Sequence, residues 1–132
     1  MKRDMDLVRE ILLKIEEQYV STAIFNLKIE GYDLQTVAYH CKIMHEAGLL
    51  SHYCAQYGDN KIYVFQVGGL TWEGNEYLDK IRDDSVWRKT RDTITEKGLP
   101  LIFDTIKAIS SALITAATEG VMNSILKSGG TQ

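Results

Sequence analysis

Cys41 and His45 stand four residues apart, and His52 and Cys54 two apart, the first set of side chains here that could do chemistry. Thiolates and imidazoles are zinc ligands, so a site made from all four is conceivable. The pattern argues against it. Cys41 falls on the apolar stripe of its own helix, small thiols are common in cores, and no C-x-x-C or H-x-x-x-H run occurs. No metal is expected. Catalytic signatures are also missing from the sequence: there is no glycine-rich phosphate loop, no G-x-S-x-G and no H-E-x-x-H. Carboxylates are scattered rather than paired. The chain reads as a non-enzyme that uses no cofactor.

Recognition chemistry is better represented. Gln35, Thr36, Tyr39, Lys42, Ile43 and Glu46 lie opposite the apolar positions of a helix that begins at Asp33. Gln and Lys can read base edges, and Thr or Tyr can hold phosphates. Lys61 follows in a hairpin, and Arg88 and Lys89 belong to a later cluster with Arg91. That cluster is interleaved with Asp83, Asp84, Asp92 and Glu96, the pattern of a solvated helix with i, i+4 ion pairs, and offers Arg88 and Lys89 as backbone contacts at most. Between Asp33 and Val67, Lys42 and Lys61 face Asp33, Glu46 and Asp59, one carboxylate in excess. Phosphate contacts supply most of the affinity of DNA binders, so this surface needs a dimer or another segment to add charge.

The elements that position these residues follow from periodicity. Leu7, Val8, Ile11, Leu12 and Ile15 make the stripe of an amphipathic helix over Met5 to Gln18. Phe25, Leu27 and Ile29 alternate with Asn26, Lys28 and Glu30, which predicts a short strand ending at Gly31. Asp33 is a good N-cap for a helix to about Ala47, with Val37, Cys41 and Met44 inward and Gly48 as its stop. Residues 50–57 and 61–67 read as a hairpin around Gly58-Asp59-Asn60. Thr71 caps a helix carrying Trp72, Tyr77, Leu78 and Ile81. Asp83-Asp84-Ser85 breaks and recaps the chain for a helix with Val86, Trp87, Thr90 and Ile94. Both tryptophans and the tyrosines are assigned to core and hairpin packing.

Pro100 suits the first turn of a last helix running to about Lys127, roughly 40 Å long at ~1.5 Å per residue. Ile102, Ile106, Ile109, Leu113, Ala116 and Gly120 follow the 4-3-4-3-4 spacing of a coiled-coil seam. Phe103, Ile114, Ala117, Val121 and Ile125 form a second apolar flank. The seam predicts homo-oligomerisation, as a dimer or higher. Residues 129–132 read as a frayed tail.

The order helix, short strand, helix, hairpin, helix is that of a winged-helix domain with one element altered. The run from Thr36 to Leu50, TVAYHCKIMHEAGLL, resembles the recognition helix and following turn of bacterial winged-helix regulators. Leu70-Thr71-Trp72-Glu73-Gly74 resembles the Leu-Thr-x-x-Gly start of the helix after the wing. More closely, residues 1–12, Ile29-Glu30-Gly31-Tyr32 with Tyr39-His40, Leu70 to Gly74 and Ile81 to Trp87 resemble a bacterial and prophage domain-of-unknown-function family over roughly residues 1–97. That resemblance implies a winged-helix-like fold and a mobile-element context, and brings no active site. In one respect the sequence departs from a full helix-turn-helix: residues 23–32, the slot before the recognition helix, alternate like a strand.

The 132 residues carry 15 Lys plus Arg and 18 Asp plus Glu, a net charge of −3, with 45% hydrophobic residues. That balance fits an ordered domain and excludes coating of nucleic acid by bulk charge. Two cysteines give no disulfide framework. The charged N-terminus lacks the apolar core of a signal peptide, and the uncharged stretch from Ala108 to Thr118 is far short of the ~20 residues of a membrane span. A cytoplasmic location and no membrane are expected.

The reading is therefore a mainly α protein with a small antiparallel β-sheet: a winged-helix-like domain over residues 1–97 and a C-terminal helix over 98–128. Its expected function is DNA binding in transcriptional control, with Gln35, Thr36, Tyr39, Lys42, Lys61, Arg88 and Lys89 as contacts. The alternative is a protein-interaction module that reuses the scaffold without DNA.

Overall fold

Asp4 opens the first helix by accepting the Asp6 and Leu7 N–H groups at 2.9 and 3.2 Å, and α1 (Met5–Gln18) buries Leu7, Val8, Ile11, Leu12 and Ile15 as their spacing requires. The computed structural model describes residues 1–129. After α1 come β1 (Ile24–Phe25), α2 (Leu34–Glu46), β2 (Tyr53–Gly58), β3 (Lys61–Val67), α3 (Trp72–Ile81), α4 (Asp84–Glu96) and α5 (Phe103–Gly129). The fold is mainly helical with a three-stranded antiparallel sheet in the order β1-β3-β2. Of the expected tail, only Gly129 is described, as the last residue of α5, and the rest lies outside the described residues.

Two compact units result, Met1–Asp79 and Lys80–Gln132. In the first, α1 packs on α2, and α2 packs on both hairpin strands. The core between them holds Val37, Ala38, Cys41 and Met44 from α2, Phe65 and Val67 from β3, and Tyr77 and Leu78 from α3. Each large aliphatic side chain fully buried there contributes roughly 1.5–3 kcal/mol. In the second unit, α4 packs on α5, with Trp87, Thr90, Ile94, Ile106 and Ser110 buried.

Thr71 and Gly74 explain the Leu-Thr-x-x-Gly run. The Thr71 hydroxyl accepts the Gly74 N–H at 3.0 Å and donates to the Gly48 carbonyl. A Cβ at Gly74 would collide with the Leu49 carbonyl oxygen, so only glycine lets α3 lie this close to the turn after α2.

Three expectations are corrected. The strand over 25–30 is only Ile24–Phe25, because Asn26 adopts φ 46° and turns the chain off the sheet. Leu27 and Ile29 are buried as expected, but Phe25 is 63% exposed. Trp72 is 77% exposed and is no core residue: the buried stripe of α3 is Gly74, Tyr77, Leu78 and Ile81, and position 72 falls outside it.

Candidate nucleic-acid interface

β1 pairs with β3 only at Ile24 with Val67 and Phe25 with Gln66, which leaves the rest of that β3 edge without a strand. Two single residues, Asn26 and Gln35, replace it. The Asn26 N–H donates to the Phe65 carbonyl at 2.8 Å, and its Oδ1 accepts the Phe65 N–H at 2.9 Å. Further along, Gln35 Nε2 donates to the Ile62 carbonyl at 2.6 Å while Oε1 accepts the Ile62 N–H at 3.1 Å. A carboxamide matches a peptide group, donor and acceptor, so Gln35 acts as a one-residue strand. The edge is closed to further pairing here, and the first turn of α2 is fastened to the hairpin.

Gln35 is thus half-buried with both polar atoms engaged, and its carboxamide is not free to read a base. Thr36 gives its N–H to the Asp33 carboxylate at 2.7 Å, the N-cap bond that holds the Asp33 carboxyl below its usual range. Its carbonyl is bonded to His40 Nδ1 at 2.8 Å. Tyr39 is half-buried and meets the His40 ring edge-on at 5.5 Å between centroids. Lys42 is exposed on α2, and Lys61 is exposed beside the Asp59-Asn60 turn, where both residues adopt positive φ. One α2 helix and one hairpin therefore present two lysines, with Gln35 as the tie between the elements. Arg88 and Lys89 are exposed on α4, in the second unit.

A second network was not anticipated as such, although its members carry the resemblance. The Asp4 N–H donates to His40 Nε2 at 2.9 Å, and the Tyr32 hydroxyl donates to Asp4 Oδ2 at 3.1 Å. Desolvation first, and the Asp4 hydrogen bond next, raise the Tyr32 phenol above its ordinary pKa. The MKRDMDLVRE, IEGY and YH runs thus meet where α1 begins over α2. A groove of about 590 Å³ runs along the 26–32 segment beside Lys14, Tyr32 and Val37. It is lined by the buried Leu27 and Val37 and by the exposed Lys28, Glu30 and Tyr32.

Of the four cysteine and histidine residues, Cys41 points into the core, and burial pushes its thiol up to about 12. His45, His52 and Cys54 are exposed. Among the described residues, no three His, Cys, Asp or Glu side chains are grouped to hold a metal ion. Among them too, no helix is long and apolar enough to cross a membrane.

The expected seam on α5 is divided. Ile106 is fully buried in the second unit, and Ile109 and Leu113 are half-buried. Ile102, Ala116 and Gly120 are exposed.

A family model described as "Hypothetical protein (DUF2513)" matches residues 2–100. A protein of Haemophilus influenzae (strain ATCC 51907 / DSM 11121 / KW20 / Rd) with the name "Uncharacterized protein" is 39% identical over 116 residues, which is 87% of this chain and 97% of that protein. No solved structure matches the chain.

Proposed function

The chain belongs to the DUF2513 family, and from that premise we propose that it is a winged-helix DNA-binding regulator of a bacterial or phage cytoplasm, acting as a homo-oligomer. The observation that carries this reading is the Gln35–Ile62 pair. It fixes α2 relative to the hairpin, so that Lys42 and Lys61 meet a duplex as one preorganised surface instead of two independently moving parts. Thr36 and Tyr39 flank Lys42 at the phosphate backbone, and in the second unit, taken by itself, Arg88 and Lys89 offer further cations for phosphate. The role is binding, with no reaction, metal or cofactor. With two cations on α2 and the hairpin, affinity rests on the second copy doubling them.

Fluorescence anisotropy with a labelled random duplex at low and moderate salt tests the reading. Binding should be salt-sensitive, and Lys42→Ala or Lys61→Ala should each lower the slope of log K against log salt by about one unit in magnitude. No binding even in dilute salt would overturn it. The second reading, a protein-interaction module on the same scaffold, is favoured by the carboxylate excess over α2 and the hairpin and by the exposure of Phe25, Tyr57 and Trp72. That pattern, bare aromatics with few cations, suits a protein partner better than phosphate.

A further inference from the structure

α4 has 13 residues and α5 has 27, so at about 1.5 Å per residue α4 can cover only about half the length of its neighbour. Burial ends accordingly. Ile106 and Ser110 are buried and Leu113 is half-buried, whereas every described residue from Ile114 to Ser128 is exposed. That uncovered half is not uniformly polar. At about 3.6 residues per turn, Ile114, Val121 and Ile125 fall in one line with Met122 beside it, while Leu126 falls in line with Glu119. Glu119, Asn123 and Lys127 lie on the other side. The five large apolar side chains are between 37% and 65% exposed. Contiguous bare apolar surface of more than a few hundred Å² is rare on a chain that works alone.

We infer that this distal stripe, and not the Ile102–Gly120 seam, is where two copies of the chain pair, through an antiparallel contact of their α5 helices. Three features select a second copy. First, the stripe is self-complementary: it reads Ile114, Thr118, Val121, Ile125, large at both ends and smaller between. An antiparallel two-fold pair sets each Ile114 beside Ile125 of the other copy and each Thr118 beside Val121, as an isologous contact requires. Second, the Thr118 hydroxyl is already bonded to the Ile114 carbonyl at 2.8 Å, so burying it leaves no orphaned polar group. Third, a helix antiparallel to α5 repeats the packing α4 uses, since two packed helices joined by a short connection are antiparallel neighbours. The second copy takes up the length of α5 that α4 does not reach. A lipid surface is the poorer occupant: Glu119 and Lys127 are the only charges between residues 108 and 129, and an interfacial helix needs a cation-rich polar face.

This inference deepens the homo-oligomer of the proposed function, and sedimentation reads it independently of DNA binding. Sedimentation velocity of the full chain at tens of micromolar should give twice the chain mass. Val121→Asp with Ile125→Asp should give the single-chain mass at unchanged helical circular dichroism, since both positions are exposed before pairing. Ala116→Glu, on the opposite side, should keep the double mass. In a Cys54→Ser background, Ile114→Cys and Ile125→Cys chains should cross-link when mixed, and neither alone. A wild-type monomer at 100 µM, a dimer that survives the double Asp change, or self-linking of Ile125→Cys would each overturn the assignment. So would partition of a monomeric chain onto phosphatidylcholine–phosphatidylglycerol vesicles.

Discussion

His40 is fully buried, and its two ring nitrogens have unequal partners. A backbone N–H can only donate, so Nε2 accepts from Asp4 and the proton sits on Nδ1, donated to the Thr36 carbonyl. The ring bridges the start of α1 to the first turn of α2. His40→Ala should therefore cost about 2–4 kcal/mol in a urea titration, because it opens a cavity and leaves the Asp4 N–H without an acceptor. Cys41 makes a different prediction. Burial holds its thiol at about 12 against an ordinary 9.0. A folded-state value raised in this way favours the protonated form, so the stability it contributes is complete below pH 9 and is lost as pH rises from 9 towards 12. Replacement by Ala should flatten that alkaline decline. In the native chain at pH 8 a thiol reagent should label Cys54 and spare Cys41, with the second equivalent reacting only in denaturant.

At the scale of elements, the helices were legible because each buries a stripe of its own spacing, and Asp4, Asp33 and Asp83 all cap where they stand. The sheet was less legible, for a reason confined to Asn26. Alternation at Phe25, Leu27 and Ile29 records which side chains are buried, but not whether the backbone pairs. A single residue in the left-handed region ends the pairing while Leu27 and Ile29 stay inside. Gln35 was misjudged by the same logic. On a helical projection it faces away from the core, and nothing in a one-dimensional pattern shows that a strand edge lies there to be met. Its loss should be felt at the hairpin. Gln35→Ala leaves the Ile62 N–H and carbonyl unpaired, and should destabilise the fold by about 1–3 kcal/mol. Hydrogen exchange should localise the effect, with the Ile62 amide exchanging faster while amides in the middle of α1 change only with the global stability.

For the whole molecule, the division at Asp79 and Lys80 sets what a truncation removes. Read from sequence, α4 belongs with the first 97 residues, and residues 99–132 would come away as an appendage. In the structure α4 packs on α5, and its apolar stripe is Trp87, Thr90 and Ile94. Without α5 that stripe faces water, and a 13-residue helix in isolation is marginal even with a good N-cap. A chain ending at Gly98 should therefore lose the helicity of α4 as well as the 27 residues of α5. Far-ultraviolet circular dichroism measures this directly: the loss per chain should correspond to both helices together. The first unit should be spared, because its core is supplied by α1, α2, the hairpin and α3. Hydrogen exchange on the truncated chain should show protected amides through α1 and α2 and none through residues 84–96. Persistent protection across α4 would mean that it is held by contacts other than those with α5.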